Sequence, residues 1–133
     1  FETFEFSPAL LLGLTTAVEQ LQRIGMKTVE QKIKRLSLYF RSNLSRLKTI
    51  KIFENENSIS GINTIEVSGF SSEEVLNYLL SKKILCSISD KTTSYHFFKK
   101  KRKRSLVRLS FHYYNELKEI DFLIKALDEM INQ

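Results

Sequence analysis

Cysteine, proline and glycine are all scarce in this chain of 133 residues, and each scarcity narrows what the chain can do. The single cysteine, Cys86, excludes an internal disulfide and a thiolate-rich zinc site. A lone thiol suits a reducing compartment, and within "KILCSI" it reads as a small buried hydrophobe rather than a reactive group. With four glycines and neither a GxGxxG nor a Walker loop, a backbone cradle for phosphate is hard to build. The two histidines, His96 and His112, come with no HExxH pair and no cysteine partner, so no metal site is expected. A GxSxG elbow is also missing. No apolar run reaches the ~20 residues of a membrane span. The opening "FETFEFSP" holds two glutamates and none of the basic residues that start a secretory signal. One cytoplasmic domain with no membrane partner is the expectation.

Positive charge, by contrast, is abundant. Lys and Arg number 21 against 15 Asp and Glu, a net charge of +6. The run "KKKRKR", residues 99–104, holds six cations, as many as the whole excess, so the remainder of the chain is balanced. Six adjacent cations repel one another and cannot be buried without partners, so the run is expected to be an exposed, mobile connection. A nucleic-acid or anionic-surface binding module is an alternative reading of it. Single-strand binders interleave aromatic side chains with their cations; these are missing from the run, although Tyr95, Phe97 and Phe98 precede it. Nucleic acid is therefore not an expected partner.

The apolar pattern divides the chain. "SPALLLGLTTAVEQLQRIG" predicts a helix with Ser7 as N-cap, Pro8 at its first position and Gly25 closing it. "MKTVEQKIKRLSLYFRSNLSRL" predicts a second, with Thr28 and Gln31 as a capping box and Val29, Ile33, Leu36, Phe40, Leu44 and Leu47 as its stripe. The period then falls to two. "IKIF" (50–53) and "GINTIEVS" predict strands, and in the second Asn63, Ile65 and Val67 alternate with Ile62, Thr64 and Glu66. "SSEEVLNYLLSKK" predicts a helix whose capping box is Ser71 and Glu74; the box also explains the carboxylates there. "ILCSIS" and "SLVRLSF" predict two more strands, separated by a loop over 89–104. Asn115 is placed to cap a final helix, with Ile120, Leu123, Ile124, Leu127 and Ile131 inward. The order α-α-β-β-α-β-β-α predicts an α+β fold, a small mostly antiparallel sheet covered by helices.

One strand raises a question. In "SLVRLSFHYYNELKEIDFLIKAL", residues 105–127, Val107, Leu109, Phe111 and Tyr113 alternate with Arg108, Ser110 and His112. The first set reads as core. An arginine in mid-strand on the other side is either a solvated or salt-bridged side chain on an edge strand, or a receptor for an anion.

The same stretch resembles the C-terminal signature of class V aminotransferase-like enzymes. These are pyridoxal 5'-phosphate (PLP) enzymes of fold type I, among them cysteine desulfurases and isopenicillin N epimerase-like proteins. Their small domain typically ends in a strand V-R-x-S-x-x-x-Y-N followed by a helix that starts E-I-D. Val107, Arg108, Ser110, Tyr114, Asn115, Glu119, Ile120 and Asp121 match in place. "FETFEFSPALLLGLTTAVEQLQRIG" resembles the segment after the large domain, "GINTIEV" the family's G-I-V-x-F-x-V strand, and "SSEEVLNYLLSKKILCSIS" its next helix and strand.

The resemblance implies that residues 1–133 are a single C-terminal small domain, with 1–25 a connecting helix segment that would follow the large PLP-binding domain. The Schiff-base lysine and most of the cofactor's contacts would lie in that large domain. This chain would then hold no catalytic residue and be inactive alone, with PLP bound mainly by the large domain and any cofactor-binding residue here unknown. The complete enzyme would act on an amino-acid-type substrate as a homodimer. Arg108 is the substrate-binding residue the family implies: a guanidinium binds an α-carboxylate through two parallel hydrogen bonds and stays charged. Ser110 and His112 receive no family role.

The sequence also departs from the family. Desulfurases place a nucleophilic cysteine a few residues after the strand equivalent to "ILCSIS"; here "SDKTTSYHF" has none, and Cys86 comes too early. Where many desulfurases carry an arginine in that strand, Ser87 stands. Where they read "GTP" near the N-terminal end, Glu5 stands within "FETFEF", so that phosphate contact is not carried over. "FETFEF" and "SFHYYN" lean toward the epimerase-like branch. A relative that keeps the fold without catalysis is a further reading.

Overall fold

Proline's fixed φ suits the first turn of a helix, and α1 (Pro8–Ile24) starts on Pro8 behind an extended Ser7. The structure, a computed structural model, describes residues 7–55, 58 and 60–133, so "FETFEF" with Glu5 lies outside the described residues. Gly25 ends α1 at φ +90°, a conformation that favours glycine, and is the only residue before α2 (Met26–Leu44). Its carbonyl already accepts from Val29 N–H at 3.1 Å. Thr28 therefore lies inside the first turn of α2, and the capping box expected of Thr28 and Gln31 is absent.

The chain continues as β1 (Ile50–Ile52), β2 (Ile62–Val67), α3 (Ser72–Ser81), β3 (Ser87–Asp90), α4 (Tyr95–Lys101), β4 (Ser105–Ser110) and α5 (Leu117–Ile131). The strands form one sheet in the order β1-β2-β4-β3, and every pairing is antiparallel. The expected α+β architecture is what forms. One sheet face carries Ile65, Val67, Val107 and Leu109 into a core completed by Leu36, Phe40 and Leu44 of α2, Val75 and Leu79 of α3, and Ile120, Leu123 and Leu127 of α5. Each such side chain contributes ~1.5–3 kcal/mol when fully buried, so these stripes hold the sheet to its helices. Among the described residues no helix is long and apolar enough to cross a membrane.

Three local expectations are corrected. The segment 89–104 is not all loop: α4 forms within it, with Phe98 buried. The strand read in "ILCSIS" starts later, at Ser87. Lys83, at φ +62°, closes α3, with Lys83 N–H donating to Leu80 O and Ile84 N–H to Leu79 O. That helix-end motif takes up Ile84 before pairing can begin. Asn115 does not cap α5. Its Oδ1 accepts from His112 N–H at 2.8 Å, and the helix opens instead on Glu116, whose N–H donates to Glu119 at 2.7 Å. The capping box of Ser71 and Glu74 forms as expected.

Gly61 sits where β2 leaves its loop. Its carbonyl accepts from Phe111 N–H at 2.8 Å, and a Cβ there would fall 2.1 Å from Phe111 O. The clash is with backbone already tied to Gly61, so it cannot be relieved by a rotamer change. Gly61→Ala is expected to lower stability by roughly 2–3 kcal/mol, read as a fall in the urea midpoint at unchanged slope. A midpoint equal to wild type would show that the two segments part freely.

Candidate functional site

Arg108 stands in the middle of the sheet. β4 is an interior strand, and Arg108 lies between Thr64 of β2 and Ser87 of β3. The solvated edge-strand arginine is thereby excluded. Successive side chains on a strand point to opposite faces, so Arg108 turns away from the core that holds Val107 and Leu109. The face it occupies is not uniformly polar: Leu106, on the same side, is fully buried.

The electrostatics of that face leave Arg108 unpaired. Two carboxylates belong to the same region, and both are engaged elsewhere. Glu54 accepts from Thr64 N–H at 2.6 Å and from Thr64 Oγ1 at 2.7 Å. Glu66 accepts from Lys103 Nζ through both oxygens, the longer contact 2.8 Å. Arg108 is half-buried, its Nε is shielded from solvent without a hydrogen-bond partner, and among the described residues its guanidinium joins no ion pair. A buried donor left unmade costs ~1–3 kcal/mol, so an acceptor from outside this chain would restore a real loss. The arrangement is a guanidinium between two small polar neighbours, Thr64 and Ser87.

The other residues singled out from sequence do not join it. Ser110 ends β4 and is exposed. His112 lies past the end of the strand, its ring 4.5 and 4.3 Å from those of Tyr113 and Tyr114, so it does not share the strand face. His96 is on α4. Cys86 sits just before β3, half-buried, and burial pushes its thiol up, away from the thiolate a nucleophile needs. Among the described residues no three His, Cys, Asp or Glu side chains are grouped to hold a metal.

Two features escaped the sequence reading. One is a buried polar cluster. Arg41 Nε donates to Asn63 Oδ1 at 2.6 Å, and its other nitrogens donate to the carbonyls of Asn55, Ser58 and Ser60 at 3.2, 3.0 and 3.5 Å. Ser37 joins through Ser60 O at 3.0 Å and Asn63 Nδ2 at 3.3 Å. The cluster ties Asn55, Ser58 and Ser60, ahead of β2, to α2, and its one sequence signal was Asn63, a polar residue on the core side of an alternating strand. The other is apolar surface. No side chain of α1 is buried, Leu10 being 77% exposed, and Leu85, Tyr114 and Phe122 are exposed along a groove beside α5.

The architecture is a helix-covered antiparallel sheet with an unpaired arginine on an interior strand. A family model described as aminotransferase class-V matches residues 4–123, and the chain belongs to that family. It is 27% identical over 117 residues, 88% of the chain, to a probable cysteine desulfurase of Ureaplasma parvum serovar 3. It is 28% identical over its whole length to a probable cysteine desulfurase of Borreliella burgdorferi. The chain spans 29% and 32% of those two proteins, about a third. The cysteine desulfurase CsdA of Escherichia coli has the same fold, with a TM-score of 0.88 over 99% of this chain and 32% of that one, at 18% identity. So does a cysteine desulfurase of Thermococcus onnurineus NA1, with a TM-score of 0.84 over 90% and 30% of the two chains, at 23% identity.

Proposed function

We propose that this chain is the small, C-terminal domain of a PLP-dependent enzyme acting on an amino acid, and that Arg108 binds the substrate's α-carboxylate. The observation that carries the reading is Arg108 itself: central, half-buried, unpaired, and spared the carboxylates nearby. A guanidinium so placed matches a carboxylate with two hydrogen bonds and holds it in one orientation. Mounting it on an interior strand limits its drift, since β2 and β3 clamp the backbone on both sides. PLP, when bound, supplies the electron sink for the substrate's Cα. Of this chain's residues, Arg108 has the chemistry for the substrate, while the four glycines and the capped start of α3 offer the cofactor's phosphate no cradle. The cofactor is therefore held by the rest of the enzyme. The exposed apolar side chains of α1 and of the groove at Leu85, Tyr114 and Phe122 are the surface that this remainder, or a second subunit of a homodimer, would cover.

The relatives' names raise sulfur transfer as a second reading. Cys86 argues against it as nucleophile: half-buried, raised by burial, and placed before β3. The segment after β3 forms α4 and contains no cysteine. A transaminating, epimerising or eliminating enzyme fits these residues better than a thiolate mechanism.

Titrating the isolated chain with PLP tests the division of labour. The chain alone is expected to show no saturable absorbance band near the visible edge, whereas the complete enzyme shows one per active site. A stoichiometric band on the isolated chain that survives dilution would place the cofactor's lysine here and overturn the reading.

A further inference from the structure

The basic run is exposed apart from half-buried Lys103, and its first three residues are helical. Lys99, Lys100 and Lys101 form the last turn of α4, and Arg102, at φ +52°, ends it with N–H bonds to Phe98 O and Lys99 O. Phe98 is buried at one end and Lys103 is held by Glu66 at the other. Between and beside these anchors Lys99, Lys100, Lys101, Arg102 and Arg104 are exposed, and none takes part in an ion pair among the described residues. Their repulsion is held in place by the fold. A cation at a helix C-terminus interacts favourably with the last carbonyls, but only within the final turn, and Arg104 lies beyond it.

Helical periodicity rearranges the neighbours of these cations. Residues i and i+4 are neighbours on a helix surface, so Tyr95 lies beside Lys99 and His96 beside Lys100, on adjoining exposed sides of α4. Tyr95 is 55% exposed, and His96, Lys99 and Lys100 are exposed as well. Lys99 Nζ lies 5.6 Å from the Tyr95 ring centroid, and the His96 ring meets Tyr95 edge-on at 5.6 Å. The inward side is taken by Phe98, and by Phe97 against Phe53 at 6.2 Å. The interleaving of aromatic and cation that the linear run lacks is thus produced by the helix.

We propose that this face of α4 binds single-stranded nucleic acid. A base stacks on Tyr95 and its flanking phosphates meet Lys99 and Lys100, with Arg102 and Arg104 continuing the track. Stacking discriminates this partner from an acidic protein segment, which would need the cations alone, and from a duplex, whose bases are not free to stack. The inference is independent of the cofactor reading: it uses no residue of the Arg108 site and requires no catalysis.

The test is fluorescence anisotropy on this chain at physiological salt, with labelled 12-nucleotide oligo-U and oligo-dT, a duplex of equal length and a poly-glutamate peptide. Both single strands are expected to bind more tightly than the duplex or the peptide; their order tells whether the sugar is read. Tyr95→Ala keeps every charge and leaves the buried residues untouched, so folding checked by circular dichroism should be unchanged. It is expected to weaken single-strand binding by roughly 5- to 150-fold, the range of one stacked base, with duplex and peptide affinities unaltered. Replacing Lys99 and Lys100 together by Ser should lower the salt slope for the single strands by about 1.4, from ~0.7 per phosphate contact. Peptide binding as tight as that of the single strands would assign the face to an acidic protein and overturn the proposal. So would a Tyr95→Ala variant indistinguishable from wild type, or an absence of single-strand binding at physiological salt.

Discussion

In the complete enzyme, Arg108→Ala is expected to lower kcat/KM for a carboxylate-bearing amino acid by roughly 30- to 1000-fold, the loss of a bidentate, charge-assisted contact of about 2–4 kcal/mol. The same change should leave the isolated chain's thermal midpoint within a degree or two. Arg108 has no hydrogen-bonded or charged partner among the described residues to strand, and its Nε is already unsatisfied. Function and stability are therefore expected to separate at this position. Arg108→Lys should recover only part of the activity, because an ammonium presents a point charge where the guanidinium presents a fork. An amine substrate lacking the carboxylate supplies the control: wild type and variant should turn it over alike. If carboxylate and non-carboxylate substrates suffer equally, or the isolated chain unfolds, Arg108 is a structural residue and the central assignment fails.

Arg41→Ala should behave in the opposite way, costing stability of about 3–5 kcal/mol, a large part of the ~5–15 kcal/mol of an ordinary domain. The side chain is buried and its donors are shared among Asn63 Oδ1 and the carbonyls of Asn55, Ser58 and Ser60. Removing it strands buried acceptors and unties the loop before β2. Arg41→Met keeps most of the volume and should be nearly as damaging, which separates lost hydrogen bonds from lost packing. Adding Asn63→Leu to Arg41→Met should be less harmful than the two single changes summed, since an apolar pair leaves no orphaned polar group between them. Urea denaturation of the four proteins measures this directly. A fall of under about 1 kcal/mol for Arg41→Ala would show that water replaces the guanidinium there.

Why some of this was legible in the sequence and some was not follows from the range of each interaction. The stripes of α2 and α5, the alternation of β2 and the capping box at Ser71 are set by residues within a few positions of one another, and they formed as read. Arg108 was singled out because its strand keeps a strict period and its surroundings match a family motif. The register that makes it central rather than peripheral depends on β2 and β3, far away in sequence. Helix α4 was missed because Lys99, Lys100 and Lys101 offer no apolar period, and the burial of Phe98 is a tertiary event. Asn115 was misread for a similar reason. A cap is a competition between nearby N–H groups, and His112 N–H won its side-chain oxygen. Arg41 sits among the basic residues of α2 and was indistinguishable from a solvated neighbour until Asn63 and the loop carbonyls closed on it.

The junction at Gly25 has a mechanical consequence. Among the structural elements α1 has its principal contacts with α2, and a single residue connects the two. A helix of 17 residues is about 25 Å long at 1.5 Å per residue. Turning it by ~10° about Gly25 would carry its far end through roughly 4 Å, with the core residues of the sheet unmoved. A change of a few degrees in one pair of dihedrals is thus amplified into a displacement the size of a side chain. Whatever body is fastened to Leu10, Leu11 and Leu14 would swing with respect to Arg108 on that short pivot. An L-residue at position 25 would be strained at φ +90° and is expected to shift the resting angle of the arm.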